Sequence, residues 1–140
     1  MAGKKEKKMV EIISVQTVDT DSTKTELTTE ADFEKTEKGF KITYDESEAT
    51  GFEDSTTTII VRGKDFASIQ RSGKANSTLI VEKGKKHHCH YGTPYGDLDV
   101  GIYTQVIHNE LTEQGGSLYL KYTVDINSSY VSDNEIMLTI

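Results

Sequence analysis

The sequence predicts an all-β protein: one antiparallel meander of about eight to ten strands that closes into a barrel. Three observations predict this fold. Apolar residues recur at every second position from Phe40 to Ile140, glycine-bearing turns end the alternating runs, and no segment has the length or the period of a crossover helix. Because short turns join antiparallel neighbours, the sheet is expected to follow the chain order.

The first three strands are predicted by composition and by one clear alternation. Threonines favour strand over helix in the runs Met9 to Thr17 and Lys24 to Lys35, which a polar turn at residues 19–22 separates. A third strand, Phe40 to Thr50, follows. Its positions 40, 42 and 44 are apolar or aromatic and share one face, which we predict to be the core face.

Four short strands come next, separated by turns. Gly63, Gly73 and Gly84 lie where the chain must reverse, and glycine permits the positive φ of such turns. Pro94, the only proline, supplies a fixed φ in the turn that ends this region. The predicted strands are Thr56 to Arg62, Asp65 to Arg71, Ser77 to Glu82 and Lys85 to Tyr91.

The last three strands carry the clearest alternation. The first of them is predicted to face the core with Leu98, Val100, Ile102, Thr104 and Val106. After the glycine pair at residues 115–116, Leu118 to Ile126 alternates without a break. The final strand ends at Ile140, and we predict that it helps to close the sheet, because an unpaired apolar edge promotes aggregation.

Length and charge bound the organisation of the chain. A chain of 140 residues suits a single domain with one core. The first eight residues hold four lysines against one glutamate, which predicts a disordered basic tail, 1–8, before a barrel domain, 9–140. An alternative role for this tail is a weak contact with an anionic surface.

The composition also bounds partners and compartment. The net charge of −7 and the pI near 5.1 disfavour nucleic acid, which requires a basic surface. No apolar run is long enough for a membrane span, and residues 10–15 are too short a run for a signal core, so we expect a cytoplasmic protein without a membrane partner. Cys89, the only cysteine, cannot form an internal disulfide.

Six segments follow one another in a characteristic order and spacing: Ile42 to Gly51, Thr56 to Thr58, Arg71 to Gly73, His90 and Tyr91, Thr93 to Gly96, and Asp125 to Asn127. Together they resemble the YwiB family of uncharacterised bacterial proteins. The resemblance covers nearly the whole chain and implies a calycin-like, lipocalin-type β-barrel of a bacterial cytosolic protein with no established activity. Two places depart from the family pattern: Asp54 stands where glycine is more common, and the turn at residues 19–22 lacks Asp-Gly.

A polar cluster on the core face is the first candidate site. Glu46 and Glu48 continue the face of Tyr44, and Arg71 is their expected partner because its guanidinium matches a carboxylate. The alternatives are a structural ion pair, strand ends that have reached solvent, or a ligand-contacting cluster. The candidate ligand-contacting residues are Tyr44, Glu46, Glu48, Arg71, His90, Tyr91, Tyr95 and Tyr103.

The segment from residue 85 to residue 90 is the candidate metal site. On a strand His88 and His90 share one face while His87 and Cys89 take the other, so each face offers two ligands. A third ligand, such as His108 or an acidic group, must come from elsewhere. We therefore favour an exposed strand with one or two satisfied histidines over a metal site, and a buried core cysteine over a nucleophile.

Three functions remain open at this stage. The first is a non-catalytic module that binds an unknown small molecule in or at the mouth of the barrel. The second is an interaction or scaffold protein with a filled barrel that acts through its surface or as an oligomer, such as a homodimer. The third is a metal-dependent enzyme. Because the chain has no nucleophile elbow, phosphate loop or dinucleotide fingerprint, we expect neither an enzyme nor a cofactor.

Overall fold

The structure is a computed structural model that describes residues 5–48, 52–74, 76–93 and 96–140, with the backbone alone for residues 90–93, 96 and 97. These residues form ten strands, and they contain no helix that could cross a membrane. The strands are β1 (Lys5–Val18), β2 (Asp21–Lys35), β3 (Gly39–Asp45), β4 (Ser55–Arg62), β5 (Phe66–Gly73), β6 (Ser77–Glu82), β7 (Lys86–Thr93), β8 (Gly96–Asn109), β9 (Ser117–Ile126) and β10 (Ser129–Thr139).

The ten strands form one closed barrel in which each strand pairs antiparallel with its neighbours in sequence. The barrel closes where β10 pairs with β1, so that Ile12 lies opposite both Leu138 and Leu27. The prediction of an all-β antiparallel meander closed into a barrel is thus confirmed. The last strand completes the ring, as its apolar alternation predicted.

The first strand begins earlier than predicted. β1 starts at Lys5, and residues 5–8 pair with residues 31–34 of β2, so they are not part of a disordered tail. Opposite charge explains the extension: Asp32 on β2 lies 2.6 Å from the Lys7 ammonium and 3.6 Å from that of Lys5. Residues 1–4 lie outside the described part of the chain.

The third strand is shorter than predicted. β3 ends at Asp45, and the predicted end at Thr50 falls outside the described residues. The Glu46 N–H still donates to the Ser55 carbonyl at 2.9 Å, which keeps residue 46 in line with the strand. Residues 47 and 48 lie outside the strand.

A β-bulge in β8 changes which residues face the core. Thr104 pairs with Tyr122 and Val106 with Lys121, so Gln105 is the extra residue of the bulge. The alternation therefore shifts by one position. Ile107 is buried where the sequence predicted Val106 on the core face, and Val106 is only half-buried.

Non-glycine residues adopt positive φ in three of the described turns, including the one before β4 and the one between β1 and β2. Asp54 has a φ of 64° before β4, and Asp19 has a φ of 55° between β1 and β2. Aspartate tolerates this left-handed region better than most residues. This explains how Asp54 occupies a position where the resemblance implies glycine.

The core fills one end of the barrel. We call the end that carries the β1–β2, β3–β4, β5–β6 and β9–β10 connections the upper end, and the opposite end the lower end. Phe33 and Phe40 stack in the lower half with ring centroids 5.3 Å apart. The lower half is packed with fully buried aliphatic side chains, namely Val10, Ile42, Val61, Val81, Leu118, Leu120 and Leu138.

Candidate functional site

A cavity of about 480 Å³ occupies the upper half of the barrel. On one side its apolar floor consists of Ile59, Ile69 and Leu79, which lie side by side on β4, β5 and β6. Val100 and Ile102 on β8 continue the apolar lining. The barrel is therefore hollow above this layer and filled below it.

A row of polar side chains lies one layer above the floor. Tyr44, Thr57 and Arg71 are cross-strand partners on β3, β4 and β5. Each lies two residues along its strand from Ile42, Ile59 or Ile69, which pair with one another in the layer beneath. Because side chains alternate along a strand, positions two apart face the same way. The register thus brings all three polar groups to the inner face.

Arg71 and Glu46 form an ion pair at the edge of this row. Arg71 Nε donates to Glu46 Oε2 at 3.2 Å, and the Thr57 hydroxyl donates to the same oxygen at 2.6 Å. Arg71 Nε also lies 3.3 Å from the Thr57 hydroxyl oxygen. The Glu46 side chain is 2% exposed and that of Arg71 is 15% exposed, so bulk water screens the pair little.

The ring of Phe52 covers the guanidinium. Arg71 Cζ lies 3.9 Å from the centroid of that ring, a cation–π contact, and both residues line the cavity. Phe52 belongs to the β3–β4 connection. The guanidinium is therefore held on one edge by hydrogen bonds and on one face by an aromatic ring.

The environment of Tyr44 keeps its phenol protonated. Burial raises the pKa of Tyr44 above its ordinary value, and the negative charge of Glu46 raises it further. A protonated phenol can donate a hydrogen bond. Tyr44 thus adds a neutral donor to the wall that carries Arg71.

The upper wall also carries polar side chains on β1, β2 and β10. Ser14 on β1 and Thr25 on β2 are cross-strand partners, and both line the cavity. On β10 the Asn134 amide donates to the Ser132 hydroxyl at 2.9 Å, and both residues also line the cavity. The cavity thus combines an apolar floor with short uncharged polar side chains nearer its mouth.

The structure brings three of the predicted ligand-contacting residues together, namely Tyr44, Glu46 and Arg71. Two others lie elsewhere. Glu48 is exposed because β3 has already ended, and Tyr103 is exposed because it alternates with the inward Ile102 on β8. The prediction that Glu48 continues the inner face is wrong, and Tyr103, named as a candidate ligand contact, lies on the outer face. Tyr95 and the side chains of His90 and Tyr91 lie outside what the structure describes.

The predicted histidine segment lies on β7. His88 is exposed, while His87 Nε2 lies 2.9 Å from Glu82 Oε1 on β6. Within the described residues no three histidine, cysteine or acidic side chains form a group that could hold a metal ion. The His90 side chain is not described, so the pair of His88 with His90 stays a prediction.

Cys89 is a buried core residue, as the sequence favoured. Its thiol sulfur accepts a hydrogen bond from the Ile80 N–H of β6 at 3.3 Å. Burial raises the pKa of the Cys89 thiol, and the hydrogen bond opposes this only in part. The thiol is therefore a poor nucleophile near neutral pH.

Sequence reasoning missed two residues of the site. Thr57 shares the inner face of β4 with Ile59 and Val61. The turn at Gly63 sets the pairing of β4 with β5, and this pairing places Thr57 opposite Arg71, so the sequence could have identified Thr57. Phe52 lies in a connection without periodicity. No pattern in the sequence could have predicted its contact with Arg71.

Comparison with known proteins agrees with the fold and identifies the family. The crystal structure of the ywiB protein from Bacillus subtilis superposes with a TM-score of 0.75 at 16% sequence identity, covering 96% of this chain and 92% of that one. At this identity the likeness shows the fold alone. No curated protein matches the sequence. The family model described as a domain of unknown function, DUF1934, matches residues 10–138, and the chain therefore belongs to the DUF1934 family.

Proposed function

We propose that this protein is a non-catalytic binding module that holds one small amphipathic molecule in the upper cavity of the barrel. The observation that carries the proposal is the cavity of about 480 Å³ with Arg71 on its wall. Small-molecule pockets commonly enclose about 300–1,000 Å³ and combine an apolar lining with a few convergent polar groups. The cavity has this size and this distribution of polarity.

The polar groups of the cavity can orient a bound ligand, and the apolar floor can supply most of the binding free energy. Ile59, Ile69 and Leu79 present an apolar surface that gains free energy when a ligand displaces water from it. Tyr44 and Arg71 lie one layer above, where they can contact the polar end of the same molecule. A molecule with one apolar and one polar end matches both layers.

The location of the protein and its alternative function are also part of the proposal. A bacterial, cytosolic location rests on the resemblance and on the composition of the chain. The alternative, an interaction or scaffold protein that acts through its surface or as a homodimer, rests on a filled barrel, and the hollow upper half weighs against it. Absence of catalysis, of a cofactor and of a nucleic-acid or membrane partner remains an expectation.

Binding of a neutral fluorescent probe, Nile red, tests the proposal. We expect stoichiometric binding with enhanced emission, and native mass spectrometry of the protein as purified is expected to show a bound small molecule. Thr25→Trp places a bulky ring in the cavity, so the affinity for the probe should fall at least about tenfold. Thr28→Trp, on the outer face of the same strand, should leave it unchanged.

Two results would contradict the proposal. One is a protein that neither binds the probe nor carries a small molecule. The other is equal probe binding by the Thr25→Trp and Thr28→Trp variants, because the probe would then sit on the outer surface. Both variants are first compared with the parent by circular dichroism, so that loss of the fold is not mistaken for loss of the cavity.

A further inference from the structure

We propose that the ligand is an anionic amphiphile, with a carboxylate or phosphate head on Arg71 and an aliphatic chain of about eight to twelve carbons on the apolar floor. This inference rests on the proposed function and adds the chemical class of the ligand. The observation behind it is that the guanidinium of Arg71 lies one layer above Ile59 and Ile69 in the same cavity.

The hydrogen bonds of Arg71 leave one edge of its guanidinium available. Nε makes both contacts, with Glu46 and with Thr57, and the ring of Phe52 covers one face. Among the described residues, none accepts a hydrogen bond from the two terminal nitrogens, Nη1 and Nη2. These nitrogens form a planar fork that matches two oxygens of a carboxylate or a phosphate.

The burial of the ion pair favours an anion over a cation. Glu46 is 2% exposed at its side chain, and its Oε2 already accepts from Thr57 and Arg71. The guanidinium would repel a cationic ligand. A neutral ligand would leave the terminal nitrogens of Arg71 without hydrogen-bond acceptors in a cavity that water solvates poorly. Tyr44, whose raised pKa keeps it protonated, can contribute a further donor to an anion.

The size of the cavity sets the length of the chain. At roughly 30 Å³ for each water-sized unit, 480 Å³ accommodates about sixteen such units, which suits a head group with about eight to twelve carbons. The floor of Ile59, Ile69 and Leu79 lies directly beneath the Arg71 row. A single aliphatic chain can therefore contact the floor while its head stays on the guanidinium.

Displacement of Nile red by four ligands with the same ten-carbon chain tests the inference. The ligands are decanoate, decyl phosphate, decanol and decylamine. We expect at least one of the two anions to bind about ten- to a hundredfold more tightly than decanol, and decylamine to bind most weakly. The order of the two anions identifies the head group as a carboxylate or a phosphate.

Variants then assign the preference to Arg71. The double variant Glu46→Leu with Arg71→Met removes both charges, so neither is left buried alone. The ratio of its affinities for decanoate and decanol, each measured directly by isothermal titration calorimetry, should fall to about one. Arg62→Met is the matched control. Arg62 also contacts a ring, that of Phe66 at 5.6 Å, but it is exposed near the lower end and should not alter the preference.

The outcomes separate the two proposals. Equal binding of decanol and both anions by the parent protein overturns the anionic class and leaves the cavity-binding function standing. An anion preference that survives in the Glu46→Leu and Arg71→Met double variant also overturns it. Failure of Nile red and all four ligands to bind overturns the proposed function itself, and the inference with it.

Discussion

Arg71 and Glu46 are paired across an intervening strand. Arg71 lies on β5 and Glu46 at the end of β3, and the guanidinium Nε reaches the carboxylate at 3.2 Å over β4. Thr57, on β4, donates to the same carboxylate oxygen at 2.6 Å and so fills the space between them. The pair thereby links three strands at the upper end of the barrel, where the core no longer fills the interior.

The first prediction concerns the stability of this pair. Arg71→Met leaves Glu46 buried without its cation, and the free energy of unfolding should fall by about 3 kcal/mol. The double variant Glu46→Leu with Arg71→Met should recover most of the loss, because no unpaired charge remains. Urea denaturation measures both. Additive losses in the double variant would show that the two side chains do not stabilise each other.

The second prediction concerns the backbone contact at the start of β3. An ideal Cβ on Gly39 would clash with the Val61 carbonyl oxygen, so Gly39→Ala must displace backbone. We expect a loss of about 2–4 kcal/mol in the free energy of unfolding. Gly63→Ala is the control: nothing lies within 4 Å of its Cβ, and its φ of +58° implies a cost of about 1 kcal/mol. Equal losses in thermal or urea unfolding would contradict the clash.

The third prediction is a pH dependence on the outer surface. The Tyr119 hydroxyl donates to Glu135 Oε1, and this hydrogen bond, with burial and the carboxylate charge, raises the pKa of Tyr119 to about 12. Because this pKa is higher in the folded state than in the unfolded chain, the stabilisation is complete below about pH 10 and is lost as the pH rises toward 12.

Absorbance titration of the tyrosines measures this effect. In Glu135→Gln one tyrosine should ionise at lower pH than in the parent, and the decline of stability above pH 10 should flatten. Tyr119→Phe assigns the step, since it should disappear in that variant. An identical titration curve for Glu135→Gln and the parent would exclude the hydrogen bond as the cause.

The fourth prediction concerns the thiol of Cys89. Since burial shields the sulfur and raises its pKa, a disulfide-forming thiol reagent at pH 8 should label the folded protein at least about tenfold more slowly than the unfolded chain. A control with an exposed thiol, Ser72→Cys in a Cys89→Ala background, should react quickly in the folded state. Equally rapid labelling of Cys89 would mean that this part of the wall opens readily.

The fold could be predicted because side-chain alternation is a local property. The pattern that placed Tyr44 and Arg71 on the inner face depends only on the two-residue period of a strand, and both lie there. The position of Glu46 followed from the same period. Alternation could not predict where the period breaks: the bulge at Gln105 depends on pairing with β9, so Val106 was assigned to the wrong face.

The site was less predictable than the fold because it includes residues of a connection as well as residues of strands, and a connection has no periodic pattern. The prediction that Glu48 faces inward assumes that β3 continues, whereas the strand ends at Asp45. The aromatic chemistry of Tyr103 suggests a ligand contact, but the residue follows the inward Ile102 on β8 and therefore faces outward. Phe52 contacts Arg71 from a loop, and only three-dimensional closure of the barrel brings these two side chains together.

A crystal structure of the protein with 10-bromodecanoate tests the account most directly, because the anomalous signal of bromine locates one end of the ligand and the electron density locates the other. We predict the carboxylate within about 3 Å of the terminal nitrogens of Arg71 and the bromine inside the cavity above Ile59 and Ile69. Bromine found only on the outer surface, or a carboxylate pointing away from Arg71 into solvent, would contradict it.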